Sequence, residues 1–515
     1  MDKAEYIQAV KERFPDKMAR LKGGFYQVKN EDGEKVPFCL RPIQEDFLNN
    51  RHGFDLVLKA RQLGFTTAIQ IDMLDDCLFS RNINAGIVAH NKDDAEAFFD
   101  DKIKFAYDNL PELLKEHFAS EWGAEQDSAK SLKFANGSRI RVGTSLRSGT
   151  LQRLHISEYG KVCAKYPEKA REIQTGALNT VHIGHRITIE STAEGQGGHF
   201  YDMCQEAQSI VQSGRSLSPI DFKFHFYPWW EDSKYELDPE HAFITSEMEA
   251  YFDRLERRDK VELSDGQKAW YVRKRVTQQD DMKREFPSTS GEAFEAAVEG
   301  AYFAKEMEKS RMRGNVCHVL FRDDLPVDTF WDLGIGDKMC IWFFQLDRGR
   351  PCMIDYYENH SEGLTHYVEV LSDKPYMYGR HYLPHDGKNR TFVTGEPRDA
   401  ILYRMMRIPV TVVQRTLDVT ADIQTMRSVI PIVKFDIERC QTGLKHLGNY
   451  RRKWDDKRGT WLPKPLHNDA SNGVDALRTF AVSWQRGIVE DFEHSNYDEE
   501  EESYEYEGRN VITGY

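Results

Sequence analysis

Residues 54–80 read FDLVLKARQLGFTTAIQIDMLDDCLFS, and their order decides the first half of the fold. A strand-like apolar run, FDLVLKA, meets a short loop, RQLGF, and a helical pattern follows from Thr66. A phosphate loop is built this way: a strand ends, backbone N–H groups curl around phosphate, and a helix N-terminus stands behind. Gly64 allows close backbone approach, and the Thr66 hydroxyl is placed for Mg2+. Against the pattern G-x-x-x-x-G-K-[ST], however, Phe65 stands at the lysine position and Lys59 at the first glycine. The cation over the β/γ-phosphates then has two candidates: Lys59, five residues before Gly64, and Arg61.

Around this stretch, apolar runs alternate with helical patterns. INAGIVAH, LQRLHIS and HRITIEST read as strands, KDDAEAFFDDKIKFAYDNL as a helix, and SLKFANGSRIRVGTS as a hairpin turning at Asn136-Gly137. Such alternation predicts an α/β fold with a largely parallel sheet covered by helices. Three further features fit a nucleotide site. Gln44 in LRPIQEDF is a candidate partner for an adenine edge. Glu158 ends the strand of LQRLHISEYGK, where a carboxylate can orient or deprotonate an attacking water. Ser191 and Thr192 in RITIESTAEG end another strand and suit γ-phosphate sensing. A surface helix start, a solvated loop acid and a helix N-cap are the plain alternatives for these three.

A second constellation is acidic. Two-metal phosphodiester cleavage needs carboxylates from strand ends and a helix. Asp332 lies in the apolar strand TFWDLGIGDKMCIWFF, a costly place for a carboxylate without a cation. Asp386 ends a second strand in HYLPHDGKN, and Asp475 starts the helical run VDALRTFA, with Asp469 as a competing choice. Arginine pairing or helix capping is the structural alternative for each. Between these acids, NYRRKWDDKRGTWLPK reads as a basic hairpin carrying Arg451, Arg452, Lys453, Lys457 and Arg458 among aromatics, a composition suited to a phosphate backbone.

Composition sets bounds. The chain of 515 residues is long enough for two or three domains, and its net charge is −14. The segment 490–507, EDFEHSNYDEEEESYEYE, holds ten of the acids and no Lys or Arg; without it the remainder is near −4. A near-neutral body leaves room for a local basic groove, and the acidic segment is expected to be disordered. The eight cysteines are scattered without a C-x-x-C, which suits a reducing compartment. No run of about eighteen apolar residues predicts a membrane span, and MDKAEYIQAVKERF reads as an amphipathic helix rather than a signal peptide.

Taken together, LRPIQEDF, KARQLGFTT, LHISEYGK, IESTAEGQGGHFYDM, REFPSTSGEAFEA and the three acids resemble the large terminase subunits of tailed bacteriophages and prophages, over about residues 35–485. The resemblance implies an N-terminal P-loop ATPase of ASCE/RecA-like build that pumps duplex DNA into a procapsid. It also implies a C-terminal RNase H-like nuclease domain with a mixed sheet that cuts concatemers. The expected division is 1–215 ATPase core, 216–315 linker or lid, 316–488 nuclease and 489–515 tail. Lys59 becomes the functional lysine, as in terminases that carry it at the start of the loop. Gln44, Arg61, Gln62, Gly64, Thr66, Thr67, Ser191 and Thr192 are then nucleotide contacts, and Glu158 the catalytic carboxylate. Arg147 of SLRSGT is the arginine that stabilises the transition state in cis or from a neighbour. Asp332, Asp386 and Asp475 (or Asp469) would hold Mg2+ or Mn2+, and ATP with Mg2+ would occupy the first site. Implied partners are double-stranded DNA, a small terminase subunit, the portal protein and copies of the chain in a ring, or a monomer in solution, in the host cytoplasm and at the portal vertex. One departure stands out: Ser157 occupies the position of the usual acid before the catalytic glutamate. Two rivals remain. One is a DNA helicase or remodelling ATPase with a structural C-terminal domain; the other is a non-enzymatic capsid or scaffold protein.

Overall fold

The structure is a computed structural model and describes residues 3–89, 91–147, 149–295, 300–334, 338–390, 395–414, 416, 418–455 and 460–489. The chain forms two compact units, Met1–Ala297 and Val298–Tyr515. The split falls inside the 216–315 stretch, most of which packs with the first unit. The acidic segment from 490 onward lies outside the described residues.

The first unit is built on eight strands: β1 (Phe54–Lys59), β2 (Asn84–Val88), β3 (Ala124–Ser128), β4 (Ser131–Phe134), β5 (Arg139–Gly143), β6 (Leu151–Ser157), β7 (Val181–Ser191) and β8 (Lys223–Tyr227). Their order is β8-β1-β7-β6-β2-β5-β4-β3. The six from β8 to β5 run parallel, and the hairpin β3–β4 is added antiparallel at one edge. Strand β1 is buried at every position, as a parallel strand covered on both faces must be. Val57 and Ile87 join one apolar cluster and Leu56, Leu58 and Ile156 another, so helices cover both faces. Helices α1 (Pro42–Asn50), α2 (Phe65–Phe79) and α3 (Tyr159–Lys165) frame the parallel strand ends. In the 216–297 segment, Trp229, Tyr235, Trp270 and Phe286 pack as an aromatic group within the cluster that also holds Phe65.

The second unit has a seven-stranded mixed sheet: β9 (Val316–Cys317), β10 (Val327–Asp332), β11 (Lys338–Asp347), β12 (Arg350–His360), β13 (Tyr378–Leu383), β14 (Val410–Val412) and β15 (Lys434–Asp436), in the order β9-β15-β12-β11-β10-β13-β14. The three central strands form an antiparallel meander, flanked by parallel pairs. Helices α4 (Leu364–Asp373) and α5 (Arg398–Met406) cover one face; α6 (Val419–Val429), α7 (Gln441–Asn449) and α8 (Asp469–Gln485) cover the other. The protein is thus α/β throughout, with two parallel-rich mixed sheets. Among the described residues no helix is long and apolar enough to cross a membrane.

Candidate nucleotide site and acidic sites

The loop between β1 and α2 is held from outside. The carbonyl of Arg61 accepts from Tyr235 Oη (2.6 Å), that of Gln62 from Lys234 Nζ (2.6 Å), and that of Leu63 from Gln44 Nε2 (2.8 Å). In a trans peptide the N–H points opposite to its carbonyl, so the N–H groups of Gln62, Leu63 and Gly64 turn toward the loop's other side. Gln62 (φ 59°) and Gly64 (φ 73°) are both left-handed, the backbone alternation that makes an anion-binding concavity. Helix α2 begins at Phe65 and adds its N-terminal dipole.

Lys59, at the end of β1, is 5% exposed. Its Nζ lies 3.3 Å from Glu158 Oε1 and 3.1 Å from Glu190 Oε2. Burial pushes the ammonium down, but the charges of Glu158 and Glu190 pull it up further, leaving it above the ordinary lysine range. Phe65, by contrast, is a core residue packed on Phe47 and Tyr227. Glu158 caps α3 with φ 54°, a left-handed glutamate. Such strain in a non-glycine residue collects at functional positions.

The sequence reading missed Glu190. It is fully buried on β7, directly opposite Ser157 in the parallel ladder. Its Oε1 accepts from Thr66 Oγ1 (2.7 Å) and Ser157 Oγ (2.8 Å), with His155 Nε2 at 3.5 Å. Burial pushes this carboxyl up, but the Lys59 charge and the neighbouring donors outweigh it and hold it well below the usual carboxylate range. Besides the ammonium, Oε2 has no hydrogen-bonding partner among the described residues. Glu190, Thr66 and Ser157 are hard oxygen donors at one point, and this donor set fits Mg2+.

The other candidates divide. Gln44 is 3% exposed, and its amide is committed: Nε2 braces the Leu63 carbonyl and Oε1 accepts from Arg41 N–H. These two contacts give Gln44 a bracing position beneath the loop. Ser191 Oγ accepts from Gly160 N–H at 3.0 Å, which ties the end of β7 to the helix behind Glu158; Thr192 is buried next to it. Thr67 is half-buried on the first turn of α2, and Gln62 is exposed. Arg61 is turned to Glu285 (3.0 Å), which also pairs with Arg284 (3.1 Å). Arg147 pairs with Glu172 (2.9 Å) and lines a cavity of about 380 Å³ with Thr150, Gly176 and His182. That cavity sits where β6 and β7 begin, whereas Lys59, Glu158 and Glu190 lie where strands end, so the chain does not bring its own Arg147 to the loop. Burial also lowers the pKa of Lys102, with the Glu190 charge acting against that and the Lys59 charge adding to it.

In the second unit, Asp332 ends β10, opposite Cys340, which is itself opposite Glu358 on β12. Asp386 sits in the helical turn His385–Lys388 after β13, which runs parallel to β10, so both acids lie at one end of the sheet. Asp386 Oδ1 is buried without a hydrogen bond among the described residues, and Oδ2 is 3.7 Å from Arg398. Helix α8 begins at Asp469, six residues before Asp475; the Asp469 side chain lies outside what is described. Asp475 is one turn before Thr479, whose hydroxyl donates to the Trp331 carbonyl (3.4 Å), which carries the acid toward the Asp332 end. Burial raises the Asp475 pKa against the lowering effect of Arg478, whose Nη1 is 3.3 Å from Oδ1. Among the described residues, no group of three or more His, Cys, Asp or Glu side chains is arranged to hold a metal ion. Asp332, Asp386 and Asp475 are hard oxygen donors of the kind that suits Mg2+ or Mn2+, placed at one end of the sheet without closing into such a group. In the hairpin β16 (Arg452–Asp455) and β17 (Thr460–Pro465), Arg452 and Lys453 are exposed, and Arg451 just before it is buried; Lys457 and Arg458 lie outside the described residues.

No family model matches the chain, and no curated protein matches it. Its structural neighbours are large terminases. The large terminase from a thermophilic bacteriophage aligns over 86% of this chain and 98% of its own, at 12% identity and a TM-score of 0.28. The Thermus phage P74-26 large terminase ATPase domain aligns over 50% of this chain and 94% of its own, at 16% identity and a TM-score of 0.31. The P22 large terminase nuclease domain aligns over 33% of this chain and 89% of its own, at 13% identity and a TM-score of 0.27. The first of these three terminases has also been solved in complex with ATP-gamma-S and with ADP. At these identities and TM-scores the likeness carries no residue roles; those rest on the geometry above.

Proposed function

We propose that this chain is a large terminase subunit whose first unit hydrolyses ATP with Mg2+ at the β1–α2 loop. The observation that carries the reading is Lys59, buried at the end of the loop strand and within 3.3 Å of the left-handed Glu158. The outward-tethered carbonyls supply the phosphate cradle, Lys59 the cation over the phosphates, and Glu158 the carboxylate that orients or deprotonates the attacking water. Thr66 would hold Mg2+, whose chemistry is to neutralise developing phosphate charge. Turnover would drive double-stranded DNA into a procapsid, with a small terminase subunit, a portal protein and copies of this chain in a ring as partners, in the host cytoplasm and at the portal vertex. Arg147, exposed away from its own loop, suits a contribution to a neighbour's site.

For the second unit we propose endonucleolytic cleavage by Asp332, Asp386 and Asp475, supported by their placement at one sheet end and by buried carboxylate oxygens on two of them. A second reading, a DNA-remodelling ATPase with a structural second unit, is favoured by Arg398 and Arg478, which already neutralise Asp386 and Asp475. Two assays separate these readings. DNA-stimulated phosphate release should be present in the native protein and absent in Glu158→Gln; background rates in both sink the ATPase. Linear and plasmid DNA should be cut by the native protein with Mn2+ but not by Asp332→Asn, which keeps ATP turnover. Equal cutting, or none, by both favours the second reading.

A further inference from the structure

The fully buried carboxylate of Glu190 calls for an account that the loop alone does not give. A buried carboxylate persists only when it is paired and hydrogen-bonded. Glu190 meets that demand through Lys59, Thr66 and Ser157, two of which belong to the phosphate site. We propose that Glu190, one strand away from Glu158, is the carboxylate that receives the divalent cation accompanying the nucleotide, with Lys59 as its counter-ion when no nucleotide is bound. The inference rests on the ATP-binding reading above.

Three observations carry it. The first is place: Thr66, on the first turn of the helix behind the cradle, donates directly to Glu190. The second is charge. One ammonium is shared between Glu158 and Glu190, so the three side chains already sum to one negative charge before any phosphate arrives. A triphosphate that engages Lys59 leaves Glu190 short of positive charge, and a divalent cation of hard-oxygen preference restores the balance. The third is shape. Ser157 is short, and its hydroxyl donates to the longer glutamate across the ladder. A carboxylate at 157 would face Glu190 as a like charge, so one acid, on either strand, fills this point.

The test is binding of a non-hydrolysable ATP analogue to the full chain, titrated with Mg2+ and again with EDTA. In the native protein Mg2+ should tighten binding about tenfold or more, and in Glu190→Gln that gain should fall to about threefold or less. Ser157→Asp combined with Glu190→Gln should restore the gain, because it returns a carboxylate to the same point from the neighbouring strand. If Glu190→Gln does not fold, Glu190→Asp, which retracts the carboxylate by one methylene, is read in the same titration and should also lose most of the gain. A native-sized Mg2+ gain in the folded Glu190 variant overturns the proposal. Failure of the native protein to bind the analogue under either condition overturns the nucleotide reading itself, so the two failures are distinct.

Discussion

Phe65 lies against Tyr227 with ring centroids 4.7 Å apart and an interplanar angle of 33°, beneath the phosphate loop. The position where G-x-x-x-x-G-K-[ST] places its lysine is therefore used by the core, at 1% exposure. The buried ammonium near the loop is that of Lys59 on the strand, which reaches acids at the ends of two neighbouring strands at once. Lysine at 65 would bury an ammonium among Phe47, Tyr227 and the α2 apolar face.

This separation predicts a non-rescue. Lys59→Ala should lower ATP turnover by on the order of 10²–10³, the size of losing one charge-stabilising donor from a closed site. Adding Phe65→Lys should restore nothing and should destabilise the first unit by about 3–5 kcal/mol, as loss of a buried aromatic does. Phosphate release and urea unfolding of the two variants check this. Recovery of turnover in the double variant would place the functional lysine position at 65 after all.

Glu158 makes a different prediction because it is 28% exposed and strained rather than buried. Glu158→Gln keeps the side-chain size and its reach to Lys59 while removing the base. Turnover should fall by on the order of 10²–10⁴, and affinity for ATP should stay within a few-fold of native. A variant that loses binding in parallel with turnover would make Glu158 a structural partner of Lys59 only.

Gln44 separates base recognition from loop support. Its Nε2 holds the Leu63 carbonyl, and Gly64 leaves no room for a Cβ beside that nitrogen. Gln44→Ala should orphan a buried carbonyl at a cost of about 1–3 kcal/mol and weaken ATP and GTP binding alike. An adenine-reading glutamine would instead lose the preference between the two nucleotides. Competition binding with ATP and GTP on native and variant protein decides between them.

The strand–loop–helix order and the parallel sheet were legible in sequence because each follows from local patterns in short stretches. Glu190 was not. It sits inside RITIEST, beside the more conspicuous hydroxyls of Ser191 and Thr192, and its meaning depends on a ladder partner, Ser157, on another strand. A signal was present: a charge in an apolar parallel strand, the same signal that singled out Asp332. Gln44 was visible as a residue but not as a brace, because its acceptor is a backbone carbonyl that no side-chain pattern encodes. Arg147 lies at the far end of the strands from its own loop for a topological reason. The link from β5 to β6 runs back from the C-terminal to the N-terminal ends of these parallel strands, and spacing along the sequence does not reveal that return.

Asp475 should show the trade between function and stability. Burial raises its pKa, so the ionised form is disfavoured in the folded protein, and the folded state gains stability as protons are added. Asp475→Asn should therefore raise stability at pH 7, and the gain should shrink as pH falls into the acid range. DNA cleavage, if Asp475 serves it, should vanish in the same variant. Thermal unfolding across pH, alongside a cleavage assay, reads both. A variant less stable than native at neutral pH would show Asp475 to be a structural partner of Arg478.

Glu358 gives the opposite pH sign. On β12 it accepts from His446 Nε2 (2.6 Å), Lys338 Nζ (2.7 Å) and Tyr356 Oη (2.7 Å). Burial pushes its carboxyl up, but His446 and Lys338 outweigh burial and bring the pKa down to about 2. A depressed carboxylate contributes stability that is complete above its unfolded pKa of about 4.3 and is lost as pH falls through the folded value. The window is therefore about pH 4.3 down to 2, and the full contribution is about 3 kcal/mol, at 15% side-chain exposure. Hydrogen-exchange protection of the Lys338–Asp347 and Arg350–His360 amides should be higher in native protein than in Glu358→Gln at pH 7. That difference should narrow by about 2 kcal/mol at pH 3. An equal difference at both pH values would mean that Glu358 stabilises these strands through packing rather than through its charge.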